Sequence, residues 1–268
     1  MMLLSVVIPT RNEESNIAAC IDAFAAYRDR VELIVVDNSS PDRTREIASE
    51  RGVAVFVQGP ERCAQRNRGW REASGRFVMF VDADMIVGSD TIAEILDTLA
   101  RDADPLRCLF VREVRSGVGL RLKARNFERS FYDGTCIDGL RVVSRELLEK
   151  VGGYDENLVA CEDWDIDRRL VAAGATTSIT VGHLVHNEAK QDIRAFLRKK
   201  AYYSRSVAAY REKWGDDSIC RQQFGLYYRF FGVFVEKGKW RKLLRHPILA
   251  FVMYLERFAV GLTYLIRR

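Results

Sequence analysis

Residues 77–84 read Phe77-Val78-Met79-Phe80-Val81-Asp82-Ala83-Asp84: five apolar residues without a polar break, then two carboxylates two positions apart. An unbroken run of this kind is the pattern of a strand buried on both faces. If the backbone stays extended as the strand emerges into a loop, the carboxylates at 82 and 84 share one face. That geometry suits a hard divalent cation held beside a polyphosphate. By itself the triplet is ambiguous, because an Asp after a strand also caps turns and Ser89-Asp90 just beyond has the composition of a helix start.

Working outward, Ser5-Val6-Val7-Ile8-Pro9 and Leu33-Ile34-Val35-Val36-Asp37 are short, apolar and rich in β-branched residues, as central strands are. Between them Ile17, Cys20, Ile21 and Phe24 recur at helical spacing. Val53 to Val57 and Cys108 to Val111 extend the strand series, with helix-compatible stretches at Thr44 to Arg51, Cys63 to Ala73 and Ser89 to Arg101. The alternation predicts an α/β fold with a Rossmann-like, mostly parallel central sheet. In open sheets of this kind ligands sit beyond the carboxyl ends of the strands, where Asp37 and Asp82 both fall.

After residue 115 the pattern loosens. A helix is expected over Leu120 to Phe131, a short strand at Leu140 to Val143, and a helix from Arg145 to Val151 closed by Gly152-Gly153. Glu162-Asp163-Trp164-Asp165 opens another helix that Gly174 stops, and the strand-like Thr177 to Val181 leads to His183 and His186.

With 268 residues and 48% hydrophobic content, the chain can bury a sizeable core. It has five prolines and neither a low-complexity tract nor a fixed-period repeat, which excludes a linker-rich or solenoid protein. Six scattered cysteines contain no Cys-x-x-Cys pair, so neither a zinc knuckle nor a redox motif is indicated, and reduced thiols in a cytoplasmic protein are expected. Met-Met-Leu-Leu runs straight into the first strand without the parts of a secretory signal. No Gly-x-Gly-x-x-Gly follows that strand, which disfavours a dinucleotide oxidoreductase.

Charge divides the chain. From Asn187 onward there are 18 Lys and Arg against 7 Asp and Glu, so this part carries +11 and the remainder −6. Ile193, Leu197, Lys200, Tyr203, Val207, Tyr210 and Trp214 follow a helical stripe, and residues 224–235 are dense in aromatics. Pro247 to Ile266 is nearly all apolar, but Glu256 and Arg257 lie mid-segment, where each would cost about 2.5 to 3.5 kcal/mol at a bilayer centre. On a helical wheel they fall with Thr263, Tyr264, Arg267 and Arg268 in one narrow polar stripe. An in-plane helix on an anionic membrane surface fits that better than a spanning one, the alternative being a helix that packs on the domain or in a dimer. Division into a domain over 1–190, with an acceptor-binding part at about 115–190, and a basic helical tail over 191–268 follows.

Four separated segments, spread over about residues 3 to 200, together resemble family-2 glycosyltransferases. They are Ser5 to Glu14; Val36 to Thr44; Ala64 to Gly69 with Asp82-Ala83-Asp84; and Gly152 to Glu156 with Glu162-Asp163-Trp164. The resemblance implies the A-type glycosyltransferase fold with a C-terminal helical extension, and inverting transfer of a sugar from a nucleotide diphosphate sugar, UDP- or GDP-linked. A Mn²⁺ or Mg²⁺ ion would stabilise the departing diphosphate as a Lewis acid. It further implies Asp84 as metal ligand, joined by His186 in preference to His183, and Asp82 on the ribose or a metal-bound water. Pro9, Thr10, Arg11, Glu13, Asp37, Ser39, Arg66 and Ala83 are implied in nucleotide-sugar binding, with Asp37 reading the base. Asp163, beside Glu162, is implied as the catalytic base and Trp164 as lining the acceptor site.

Other readings stand beside these. Asp37 could cap a turn, Glu13 and Asp163 could be acids at helix starts, and Arg66 could pair with a pocket carboxylate instead of the diphosphate. Asn38 stands where an Asp is more common in the family. The processive-synthase signature Gln-x-x-Arg-Trp is absent from the tail, so addition of one sugar is expected, to a saccharide or lipid-linked saccharide hydroxyl, by a protein peripheral on the cytoplasmic membrane face. A polyprenyl-phosphate sugar transferase is the alternative enzyme. A non-catalytic nucleotide-sugar or nucleic-acid binder is the alternative class, although no nucleic-acid motif accompanies the basic tail.

Overall fold

The computed structural model describes residues 2–102, 104–187 and 207–266, without the side chains of 260–266. The expected helical stripe from Ile193 to Tyr203 lies outside the described residues.

The strands are β1 (Leu4–Thr10), β2 (Val31–Asp37), β3 (Ala54–Val57), β4 (Phe77–Phe80), β5 (Met85–Val87), β6 (Arg107–Arg115), β7 (Val142–Ser144) and β8 (Thr176–His186). They form one eight-stranded sheet in the order β3-β2-β1-β4-β7-β6-β8-β5. The pairs β3-β2, β2-β1, β1-β4 and β6-β8 are parallel, while β7 and β5 join antiparallel. The sheet is therefore mostly parallel, as the alternation predicts. β1 is buried at every position and β4 likewise, which is why their sequences show no alternation.

The helices cover both faces. They are α1 (Ile17–Asp22), α2 (Thr44–Glu50), α3 (Arg62–Glu72), α4 (Ser89–Arg101), α5 (Leu120–Arg129), α6 (Arg145–Val151) and α7 (Glu162–Ala172). One core cluster packs Ile17, Ile21, Phe24, Ile92, Ile95 and Leu99 onto one face, and a second packs Trp70, Leu147, Leu148, Ile166 and Leu170 onto the other. α3 approaches β1 closely at Gly69, where a Cβ would stand 2.2 Å from a methyl of Val7. α6 begins at Ser144, whose side chain accepts a bond from Leu147 N–H, and ends at Gly152 with φ 77°. All six cysteines are free.

Beyond the sheet lie α8 (207–214), α9 (Ser218–Phe224), a π-turn at Tyr228–Gly232, α10 (Val233–Val235), α11 (Trp240–Arg245) and α12 (Pro247–Ile266). Met253 of α12 is buried with Phe127, Phe131, Val233 and Phe234 in a separate core under α5. Two members of the expected polar stripe of α12 turn inward: Arg257 pairs with Glu128 and Tyr132, and Glu256 bonds Arg121 at 2.9 Å, both on the α5 side. Thus Glu256 and Arg257 serve packing on the domain. No helix among the described residues is long and apolar enough to cross a membrane.

Candidate active site

The order β2-β1-β4 brings three carboxyl ends side by side. Thr10 ends β1 opposite Asp37 of β2, and Val81-Asp82 continues β4 on the other flank. The Asp37 carboxylate is fully buried and accepts bonds from Ser40 N (2.7 Å), Ser40 Oγ (2.5 Å) and Thr10 Oγ1 (3.0 Å), with Arg45 at 3.6 Å. Those bonds organise the turn that carries exposed Ser39, held at φ 50°. Of the two readings of Asp37, this geometry favours turn organisation. Pro9 and Thr10 are buried in the strand end, while Arg11 is exposed beside them.

A second group forms around Asp84. β5 pairs with β8 so that Met85 lies opposite His186, and Asn187 N donates to Asp84 O at 2.8 Å. His186 Nε2 then stands 3.1 Å from Asp84 Oδ2, while its Nδ1 stands 3.0 Å from Glu113 Oε1 on β6. Hydrogen bonds to Asp84 and then Glu113 outweigh burial and push the imidazole up to about 10. Burial opposes ionisation of Glu113, but His186, Arg141 and Arg129 prevail and bring it down to about 2. Glu13 faces the same group, its carboxyl raised by burial and by repulsion from Asp84 and Asp82. His183 is exposed and stands apart.

A third group centres on Arg66 of α3. Its guanidinium, 1% exposed, lies 2.7 Å from Asp163, 3.3 Å from Asp82 and 3.8 Å from Glu162. Asn67 fixes this part of α3 by donating to Tyr154 O and accepting from Tyr154 N, and Tyr154 in turn packs its ring 5.2 Å from the Arg66 guanidinium. Arg62 and Arg141 each approach Asp82 at 3.7 Å, and Arg62 reaches Glu162 at 3.5 Å. Burial disfavours charge on Asp82, yet Arg66, Arg62 and Arg141 hold its carboxyl well below the usual range. The same arginines, against burial, hold Asp163 down. Glu162 goes the other way, raised by burial and by its neighbour Asp163. The carboxyls of the two neighbouring acids are thus shifted in opposite directions, Asp163 down and Glu162 up.

Asp163 is presented at the first turn of α7, after Cys161 at φ 62°, and packs against Gly139, where a Cβ would come within 3.3 Å of its own Cβ. Arg62, Glu162, Asp163 and Trp164 line a pocket of about 360 Å³. The Trp164 ring packs on Tyr210 and Phe224 at centroid distances of 6.2 and 5.6 Å, so this side of the pocket leans on the C-terminal helices. Trp214 Nε1 and Lys213 Nζ both bond the buried Asp165 of α7, fastening α8 there.

The donor set bears on the metal. Among the described residues no group of three or more His, Cys, Asp or Glu could by itself hold an ion. Asp84 and His186 converge and supply one carboxylate oxygen and one ring nitrogen, whereas Asp82 is spent on arginines. Two protein ligands fit an ion that takes its remaining positions from diphosphate oxygens and water.

Arg62, Glu113 and Arg141 were not among the residues singled out from sequence. Glu113 was detectable only as a charge shortly after the apolar run of β6, and Arg141 as one inside the Leu140 to Val143 strand. What makes either matter is a partner far away in the chain: Glu113 meets His186, and Arg141 meets both Asp82 and Glu113.

The strand order, with the acidic site beyond the strand ends and helices C-terminal to the sheet, is that of the A-type glycosyltransferase fold. The sequence pattern of glycosyl transferase family 2 matches residues 5–152, and the chain belongs to that family. It is 30% identical over 158 residues to a dolichol-phosphate mannosyltransferase from Pyrococcus furiosus, covering 56% of this chain and 42% of that protein. The chain therefore spans less than half the length of that curated relative. Among solved structures, the mannosyltransferase PcManGT from Pyrobaculum calidifontis, in complex with GDP-Man and Mn²⁺, superposes with a TM-score of 0.62 at 19% identity, covering 98% of this chain and 80% of that one. TarS 1-349 from S. aureus, in complex with UDP-GlcNAc, gives 0.58 at 17% identity, covering 94% and 79%. At these identities the structural likeness bears on the fold.

Proposed function

We propose that this protein is an inverting glycosyltransferase that moves one sugar from a UDP- or GDP-sugar to a hydroxyl of a membrane-borne, polyprenyl-linked saccharide. The observation that carries the reading is the convergence of Asp82, Asp163 and Glu162 on Arg66, with the Asp84–His186 pair two residues along from Asp82. Donors bound in solved proteins of this fold, GDP-Man and UDP-GlcNAc, support the nucleotide-sugar class.

In this reading Asp84 and His186 hold a Mn²⁺ or Mg²⁺ ion, with Glu113 fixing the ring of His186. When bound, the ion supplies Lewis-acid stabilisation of charge on the departing diphosphate. Arg62 and Arg66 add positive charge from the protein side, and Asp82 holds them in place. Asp163 accepts the proton of the attacking hydroxyl in a single displacement, and its depressed pKa keeps it in the ionised form that this requires. Trp164 offers an aromatic wall for the acceptor sugar. Glu13, Pro9, Thr10, Arg11, Ser39 and Ala83 form the nucleotide side, arranged by the Asp37 turn.

A donor screen by release of nucleotide diphosphate tests this. Turnover with one UDP- or GDP-sugar that requires added Mn²⁺ or Mg²⁺ and is lost in Asp84→Asn is expected. Turnover indifferent to Asp84→Asn and Asp163→Asn would defeat it. A second reading, transfer to a polyprenyl phosphate, is favoured by the likeness to the dolichol-phosphate mannosyltransferase. It is separated by whether the lipid product retains one phosphate directly on the sugar.

A further inference from the structure

We propose that the outer face of the C-terminal helices is a docking surface for an anionic lipid bilayer. Because the charged pair of α12 is turned onto α5, the opposite face of the helix is left uncovered: Ile248, Phe251, Leu255 and Phe258 recur at helical spacing and stand 67%, 69%, 59% and 58% exposed. The face extends across the chain. Phe258 lies 6.0 Å from Phe230 and 6.4 Å from Tyr254 by ring centroids, Tyr254 stacks 6.4 Å from Phe231, and Phe231 lies 6.2 Å from Tyr227. Contiguous apolar surface of this kind on a soluble protein marks an interaction site.

Charge names the occupant. Residues 218–259 contain eight Lys and Arg against two Glu, and Glu256 and Arg257 are already paired with α5. Lys237, Arg241 and Arg245 are exposed, the latter two on α11, which directly precedes α12 and packs against it, and Arg241 lies over the ring of half-exposed Trp240 at 5.5 Å. A self-complementary dimer on this face would set one basic rim against another. Anionic headgroups neutralise the rim while the acyl boundary covers the rings, which is the energetics of an in-plane interfacial element. Its functional meaning rests on the membrane-borne acceptor proposed above, since it would deliver the site to that substrate.

The test uses the full chain, without sugar donor or acceptor. Flotation is compared on vesicles of phosphatidylcholine with phosphatidylglycerol in equal parts and of phosphatidylcholine alone. Binding to the mixed vesicles is expected, weaker on phosphatidylcholine alone. The triple variant Phe251→Ser/Leu255→Ser/Phe258→Ser, at surface positions, should keep the wild-type Tm and lose vesicle affinity about tenfold or more. An Arg241→Glu/Arg245→Glu variant should lose the preference for anionic vesicles. No binding by the wild-type chain, undiminished binding by a folded triple variant, or a wild-type dimer that the triple variant dissolves overturns the proposal. Nucleotide diphosphate release measured on the same proteins keeps failure of docking distinguishable from failure of the catalytic reading.

Discussion

Asp163 sits 2.7 Å from a buried arginine and Glu162 beside it keeps its proton more readily, so the two acids are not interchangeable. Asp163→Asn should lower turnover about 10²- to 10⁴-fold with donor affinity little changed, as expected on removing a proton acceptor. Steady-state kinetics alongside a donor Kd check this, and Glu162→Gln producing that loss while Asp163→Asn spares turnover would reverse the assignment. Glu113 acts through His186. Glu113→Gln should weaken Mn²⁺ binding about 10- to 100-fold, measured by Mn²⁺ spin resonance with UDP or GDP present. In the metal-free protein the same change should lower the His186 titration from about 10, read by NMR; an unmoved titration would show that Glu113 is not its partner in solution.

At the scale of elements, the role of α12 could not be read from its own pattern. The wheel separates Glu256 and Arg257 correctly as one stripe, but a stripe does not say whether water or another helix meets it. Here α5 supplies Glu128 and Arg121, and the stripe becomes a contact. Arg257→Ala leaves Glu128 without its largely buried partner and should cost about 3 kcal/mol by denaturant unfolding, whereas Phe251→Ser on the outer face should stay within about 0.5 kcal/mol. Equal losses would mean that the two faces of α12 are wrongly assigned. β5 shows the opposite limit: three residues, Met85 to Val87, are too few to stand out as a strand, and only pairing with β8 defines them. Longer elements were legible because their period and caps are local; α4 and α6 begin and end where Ser89, Arg145 and Gly152 indicate.

Over the whole molecule the site makes stability depend on pH in both directions. Glu113 is held at about 2 against an ordinary 4.5, and Asp82 and Asp163 are also held down, so the folded state binds fewer protons than the unfolded chain in acid. Their contribution is present above about pH 4.5 and lost as pH falls toward 2. His186, raised from 6.5 to about 10, contributes fully below pH 6.5 and loses that contribution as pH rises to about 10. Thermal melts of the metal-free protein should therefore be highest between about pH 4.5 and 6.5 as far as this cluster is concerned. Asp167 works against the fold: burial raises its carboxyl, its Oδ2 accepts from Leu140 N and its Oδ1 has no hydrogen-bond partner among the described residues. Its cost grows as pH rises above 3.8, so Asp167→Asn should raise Tm near neutral pH and leave it unchanged well below 3.8. A pH-independent change in Tm would place its effect in packing.

The amino-acid order alone determined the alternating β/α architecture, the strand ends that carry Asp37 and Asp82, and the family, because hydrophobic period, caps and short motifs are properties of neighbouring residues. Tertiary structure decided which charges meet. Arg66 reaches Asp163 across 97 residues of chain while also holding Asp82, and His186 reaches Asp84 across 102. It also decided that Asp37 spends its oxygens on Ser40 and Thr10, and that α12 turns Glu256 and Arg257 inward and Phe251 and Phe258 out. Pairing energies between distant ionised groups depend on distance and burial, and neither is written in sequence until the sheet has closed.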